Sequence, residues 1–142
     1  MTPTRFVADA SVAIAWAHPA QATASTQVML EAIAAGCIFE VPSLWPLEVA
    51  NALLVLKRRG RITERERRLA AENILLLPHL VDGDGGGLAF TKLTDLAAKY
   101  GLSIYDAAYL ELAMRRNLPL ATKDGPLGDA ARKTRVGTWP VV

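Results

Sequence analysis

A chain of 142 residues, 51% hydrophobic and 21% charged, is long enough to bury a core of its own and too apolar to stay disordered. Cys37 is the only cysteine, so no internal disulfide can form, and a reduced, cytoplasmic protein is the natural expectation. The net charge is a modest +2 but is unevenly spread: Lys57 to Arg68 carries seven cations against Glu64 and Glu66, a net +5 in twelve residues, which leaves the remainder acidic.

Residues 10–30 contain no Asp, Glu, Lys or Arg, which raises the question of a signal peptide or membrane span. His18, Pro19, Gln21 and the polar residues through Gln27 interrupt the run, and Asp9 sits where it would have to begin. A span needs about 20 mostly apolar residues, so a soluble, unprocessed chain without a membrane segment is expected.

Short apolar runs alternate with longer helical ones, the pattern of an α/β domain. Arg5 to Ala8 reads as a buried strand ending at Asp9, followed by a short helix over 11–17 that His18-Pro19 closes. Residues 20–36 read as a helix with Val28 and Ile33 inward, stopped by Gly36. Cys37 to Val41 is a second strand. Ser43 is the expected cap of the next helix, with Pro46 in its first turn, and Gly60 ends it after Lys57-Arg58-Arg59.

Thr63-Glu64-Arg65-Glu66 is a capping box, and its helix should end near Pro78. His79 to Asp82 reads as a third strand and Gly83 to Gly87 as a flexible connection. Helices over 88–100 and 104–116 follow, parted by Gly101, with Ser103 as the cap of the second. Leu118 to Thr122 is a fourth strand whose Pro119 suits an edge or a first position. A last helix begins near Asp124, and Val136 to Trp139 forms a potential fifth strand. No repeat, low-complexity tract or linker marks a second domain, so residues 1–142 read as one.

Four acids stand at comparable places in this layout. Asp9 and Asp124 follow strands, and Glu48 and Asp106 lie in the first turns of helices. In open parallel sheets ligands bind beyond the carboxyl ends of the strands, and helix N-termini point to the same edge. Carboxylates gathered there raise one another's pKa unless a cation neutralises them, which hard divalent ions do well. Such an ion can acidify a water and clamp a phosphate without any catalytic His, Cys or Ser, and His18, His79 and Cys37 show no metal-ligand spacing.

Each acid also has a plain structural explanation. Asp9 and Asp124 could cap helices, Glu48 could simply sit near a positive helix end, and Ser103-Ile104-Tyr105-Asp106 fits an acidic capping box. Capping does not account for the apolar residues around all four.

The stretches Val7-Ala8-Asp9-Ala10-Ser11, Leu47-Glu48-Val49-Ala50-Asn51-Ala52-Leu53, Tyr105-Asp106-Ala107-Ala108-Tyr109 and Ala121-Thr122-Lys123-Asp124 resemble, in that order, the pattern of the PIN-domain family. They are particularly similar to the VapC-type toxins of toxin–antitoxin pairs, and the similarity spans residue 5 to about 139. The resemblance implies a three-layer α/β/α fold with a central, mainly parallel sheet of four to five strands, and Mg²⁺-dependent hydrolysis of RNA, Mn²⁺ being an alternative ion. It implies Asp9, Asp106 and Asp124 as metal ligands and Glu48 as the fourth acid, on a second ion or on the attacking water. Ser11 and Thr122 resemble supporting hydroxyls, and Asp129 is a weakly supported addition. A cognate antitoxin, an RNA substrate and a homodimer are the implied partners.

The basic strip 57–68 could steer RNA, hold an acidic antitoxin segment, or be no more than a solvated turn. Arg115, Arg116, Lys123, Arg132, Lys133 and Arg135 form a looser basic set, with Lys123 the best single contact for a substrate phosphate. Asp82-Gly83-Asp84-Gly85 fails as a calcium loop because its twelfth position is Leu93 rather than Glu. Trp16, Trp45 and Trp139 lie in apolar stretches and read as packing residues rather than base-stacking ones.

Three other functions fit parts of the sequence. A housekeeping RNA-processing nuclease would use the same fold, although the single-domain length and the lack of an appended RNA-binding module favour the toxin. A non-catalytic α/β interaction module would keep the acids only as caps. A phosphoryl-transfer domain is weakened because Asp9-Ala10-Ser11 lacks a second Asp and no phosphate-cradling glycine loop is present.

Overall fold

Phe6, Val7 and Ala8 are fully buried in succession, as a strand covered on both faces requires. They form β1 (Arg5–Ala8), at the centre of a four-stranded sheet with β2 (Ile38–Pro42), β3 (His79–Asp82) and β4 (Leu120–Ala121). The order is β3-β2-β1-β4 and every pairing is parallel. The computed structural model describes residues 2–140.

Seven helices surround the sheet: α1 (Ala10–Ala17), α2 (Ala24–Ala34), α3 (Trp45–Arg58), α4 (Glu64–Leu76), α5 (Thr94–Tyr100), α6 (Ile104–Arg116) and α7 (Gly125–Arg132). Helices α1 to α4 pack with one another, as do α5 to α7. Adjacent residues of β2 mark the two faces between them. Phe39 meets Trp16 and Trp45 from α1 and α3, whereas Glu40 meets Arg116 from α6. The result is a three-layer α/β/α domain with its main core running through both faces of the sheet.

Chain order reverses beside β1, since β2 flanks it on one side and β4 on the other. That switch point opens a crevice at the carboxyl ends of β1 and β4. The Asp9 amide donates to the Ala121 carbonyl at 3.1 Å, so the two strand ends stay in register up to the residue that enters the crevice.

Several local expectations need correction. Residues 20–36 are not one helix: Pro19–Gln21 form a 3-10 turn and α2 starts at Ala24, because Thr23 and Thr26 make a reciprocal capping box. The inward face then runs through Thr26, Met29 and Ile33, and Val28 points outward. Ser43 does not cap α3; Leu44 holds that position with no side-chain bond, and Pro46 in the first turn needs no donor partner.

The glycine run continues as a 3-10 turn over Gly85–Leu88 and a π turn over Ala89–Leu93, so regular helix begins only at Thr94. The Thr94 hydroxyl donates to the Ala89 carbonyl at 2.7 Å, filling an acceptor of the widened turn. Val136 to Trp139 is not a strand among the described residues. Thr138 makes only an isolated parallel bridge to Leu120, because Gly137 turns at a φ of +63° and β4 is two residues long. Trp45 is buried at 1% exposure and Trp16 and Trp139 pack half-buried on the core, so all three tryptophans are packing residues.

Candidate active site

Asp9 leaves β1 at its carboxyl end and is 5% exposed. Its Oδ1 accepts from the Ser11 hydroxyl at 2.5 Å and from the Val12 amide at 3.3 Å, and its Oδ2 accepts from the Thr122 hydroxyl. The same hydroxyls reach the turn after β4. Thr122 Oγ1 accepts from the Asp124 amide at 2.9 Å, and Ser11 Oγ accepts from the Lys123 amide at 3.0 Å. Ser11 and Thr122 therefore fasten the β1 end to the turn that carries Asp124.

Asp124 caps α7, its Oδ1 accepting from the Leu127 amide at 2.8 Å. Glu48 stands in the first turn of α3, where Oε1 accepts from the Tyr109 hydroxyl of α6 at 2.6 Å. Asp106 stands in the first turn of α6. Ser103 Oγ accepts from the Asp106 amide at 3.0 Å, but no return bond runs from the Asp106 carboxylate to the Ser103 backbone, so the capping box is only half made. Capping thus accounts for one oxygen each of Asp9 and Asp124 and leaves the Asp106 carboxylate unexplained.

The electrostatics bring the four acids together. Burial, with a smaller push from the charge of Asp106, raises the Asp9 carboxyl to about 6 against the bonds it accepts. Burial and then Asp106 also raise Glu48, while burial and then Asp124 raise Asp106. Asp106 is therefore the centre to which the other three couple. Burial lifts the Tyr109 phenol far above its ordinary value, helped by its bond to Glu48 and by the charges of Glu48, Asp9 and Asp106. None of the four acids forms an ion pair among the described residues.

This all-oxygen donor set, acidic and without a counter-cation among the described residues, suits a hard divalent ion. Among the described residues no three Asp, Glu, His or Cys side chains close into a ready-made cage. Mg²⁺ usually keeps several waters, so an open set of carboxylates, reached in part through those waters, fits a hydrated ion.

Tyr109 is the site residue that the sequence reading passed over. It lies three positions after Asp106, hence on the same side of α6, and that spacing was the available signal. The reading also missed a second acidic group. Glu40, Asp82 and Glu111 are buried at 5%, 7% and 1% exposure on the α6 side of the sheet. Arg115 binds Asp82 at 2.6 and 3.0 Å and Glu111 at 3.0 Å, and Arg116 reaches Glu40 and Asp82 at 3.5 Å. These two arginines are committed to the buried acids and do not belong to a free basic set.

Asp129 is exposed and paired with Arg132 at 2.5 Å, apart from the four coupled acids. The Lys123 ammonium donates to the Gln21 carbonyl at 2.7 Å and is exposed beside the crevice. In the basic strip, Lys57, Arg67 and Arg68 gather around Glu64. Arg58, Arg59, Arg61 and Arg65 are exposed and form no ion pair among the described residues.

The family model of the PIN domain matches residues 6–133, and the chain belongs to the PIN-domain family. PIN domains are generally metal-dependent nucleases. Among solved structures the chain is similar to PAE2754 from Pyrobaculum aerophilum, with a TM-score of 0.69 and 23% identity over 94% of this chain and 82% of that one, a likeness of fold. No curated protein matches the chain. No helix among the described residues is long and apolar enough to cross a membrane.

Proposed function

We propose that the chain is a divalent-metal-dependent endoribonuclease, the toxin of a toxin–antitoxin pair, acting in the cytoplasm. What supports the reading is the joining of Asp9 to the turn that carries Asp124, through Ser11 and Thr122 at the switch point of the sheet, with the charge of Asp106 acting on Asp9 and Glu48 and no cation among the described residues paired to any of the four acids.

Asp9, Asp106 and Asp124 would hold Mg²⁺ or Mn²⁺, which supplies Lewis acidity toward the scissile phosphate and a more acidic water. Ser11, Thr122 and the Val12 amide lock the Asp9 carboxylate in one orientation, so the ion meets a fixed ligand. Asp124 spends Oδ1 on the α7 cap and keeps Oδ2 for binding. Glu48 gives Oε1 to Tyr109 and keeps Oε2 to orient the attacking water and take its proton. Burial raises its pKa, which makes it a stronger base than an exposed glutamate. Lys123 has two ammonium hydrogens left for a substrate phosphate once Gln21 is served.

The toxin assignment is supported by the likeness of the four acidic stretches to the VapC-type pattern. Helices α3 and α4 also leave Leu47, Leu75 and Leu76 between 64% and 82% exposed, apolar surface of the kind a protein partner covers. A cognate antitoxin and a second copy of the chain are the partners proposed for it.

The test is incubation of purified protein with end-labelled structured RNAs in Mg²⁺, Mn²⁺ or EDTA, beside Asp9→Asn. Metal-dependent cutting that vanishes in the folded variant supports the nuclease. No cutting of any RNA, together with no divalent binding by calorimetry, points to a non-catalytic module. Co-purification with the product of a small neighbouring reading frame that suppresses the cutting separates a toxin from a processing enzyme.

A further inference from the structure

Beside the carboxylates, α1 and α3 leave an open groove of about 350 Å³ that neither the acid chemistry nor the core accounts for. Ser11 and Glu48 line one end, Ala52 its middle, and Val55 and Leu56 the other, with Gln21 alongside. At 100° per residue, Glu48, Ala52, Val55 and Arg59 fall on one stripe of α3. The eleven residue steps from Glu48 to Arg59 span about three turns, or about 16 Å of rise. Arg59 stands at the C-cap of α3, exposed, one turn beyond Val55 on that stripe.

The charges frame this apolar floor. The ammonium of Lys123 sits over the Gln21 carbonyl at the acid end. Arg58, Arg59 and Arg61 are exposed in the chain that follows Leu56, past the other end, while the neighbouring Lys57 is turned to Glu64. Cations beyond both ends of an open, largely apolar track match a flexible polyanion whose flat bases lie on the floor and whose phosphates reach the ends. A neutral peptide would leave the arginines unused.

We propose that this groove is the track for a single-stranded run of the RNA on one side of the scissile phosphate, with Arg59 as its far backbone anchor. The assignment rests on the ribonuclease reading above. It separates the basic strip into an RNA-facing part, Arg58 to Arg61, and a part that neutralises Glu64.

The experiment uses unstructured end-labelled RNAs shortened one nucleotide at a time from either end. Wild type, Arg59→Glu and Lys99→Glu, the same charge change on the exposed side of α5, are compared for cleavage. Each charge change is also placed in the Asp9→Asn background for binding by fluorescence anisotropy. On long strands Arg59→Glu is expected to raise KM about fivefold with kcat unchanged, and to reduce the log–log salt slope of binding by about 0.7. On strands too short to reach Arg59, the two proteins should converge.

Cleavage by wild type with equal KM for Arg59→Glu at every length overturns the track and leaves the nuclease standing. An equal loss in Lys99→Glu overturns it as well, because that outcome reports overall field. Length-dependent binding through Arg59 without any cleavage supports the track and removes the nuclease reading instead. Loss of self-association in Arg59→Glu, with RNA kinetics untouched, gives the groove to a second copy and overturns the proposal.

Discussion

The Tyr109 hydroxyl donates to Glu48 Oε1 at 2.6 Å, joining the first turn of α3 to α6 across 61 residues of sequence. Tyr109 is 1% exposed, so its ring is fixed by the core and its hydroxyl can hold the carboxylate in a single orientation. Tyr109→Phe keeps the ring and removes that hold. The expected result is a fall in kcat of about tenfold with little change in KM, and a loss of stability of about 1 kcal/mol. Steady-state cleavage and thermal unfolding of the variant check both, and an unchanged kcat would detach Tyr109 from Glu48's function.

Asp9 makes the metal-free protein sensitive to pH in a defined direction. Its carboxyl rises from 3.8 to about 6 in the fold, chiefly through burial. Between about pH 4 and 6 the native chain keeps a proton that the unfolded chain has lost, so stability falls as pH rises through that window. The loss from Asp9 amounts to at most about 3 kcal/mol, and the raised carboxyls of Glu48 and Asp106 act with the same sign. Thermal unfolding in EDTA should give a higher Tm near pH 4.5 than near pH 7. Asp9→Asn should flatten most of that slope and raise the Tm at pH 7.

Divalent ions should act in the opposite sense. Millimolar Mg²⁺ or Mn²⁺ binds ionised carboxylates, so it should raise the Tm at pH 7.5 and much less at pH 5. Equal stabilisation at both pH values would place the ion elsewhere.

Ser11 and Thr122 both donate to the Asp9 carboxylate. Thr122→Val removes one of the bonds that orient it and also frees the Asp124 amide that Thr122 receives. Mn²⁺ affinity by calorimetry should fall about tenfold or more, with a smaller effect for Ser11→Ala. Wild-type affinity in both would show that the hydroxyls serve only the β1–β4 connection.

Arg115 has a structural task separate from the acid cleft. It lies between Asp82 and Glu111, both nearly buried, so Arg115→Ala strands two carboxylates in the interior. Denaturant unfolding should show a loss of about 3–5 kcal/mol. Lysine should rescue only part of it, because one ammonium cannot reproduce the forked contacts. Arg116, about half-exposed, should matter less, and Mn²⁺ binding by folded Arg115→Lys should be unchanged.

The parallel sheet and its helices were legible because burial dictates pattern. Phe6 to Ala8 form an unbroken apolar run, Thr63 and Glu66 announce the start of α4, and Gly60 and Gly101 mark helix ends with positive φ. The four acids stood out as motifs, and the sheet order places the end of β1 that carries Asp9 beside the turn that carries Asp124, which chain order alone does not encode. The start of α2 was missed because a Thr–Thr capping box lacks the acid that usually signals one. The α6-side ion cluster was missed because Glu40 and Asp82 find their arginines only through tertiary contact. The fifth strand failed where Gly137 breaks the extended backbone.

The most direct test is single-turnover cleavage of one susceptible RNA by wild type and Asp106→Asn across a Mn²⁺ titration, since Asp106 couples to each of the other three acids. The account predicts no cleavage in EDTA, saturable activation by the ion in wild type, and a rate at least a hundredfold lower in a folded Asp106→Asn. Cleavage at full rate in EDTA, or an Asp106→Asn protein as fast as wild type, would contradict it.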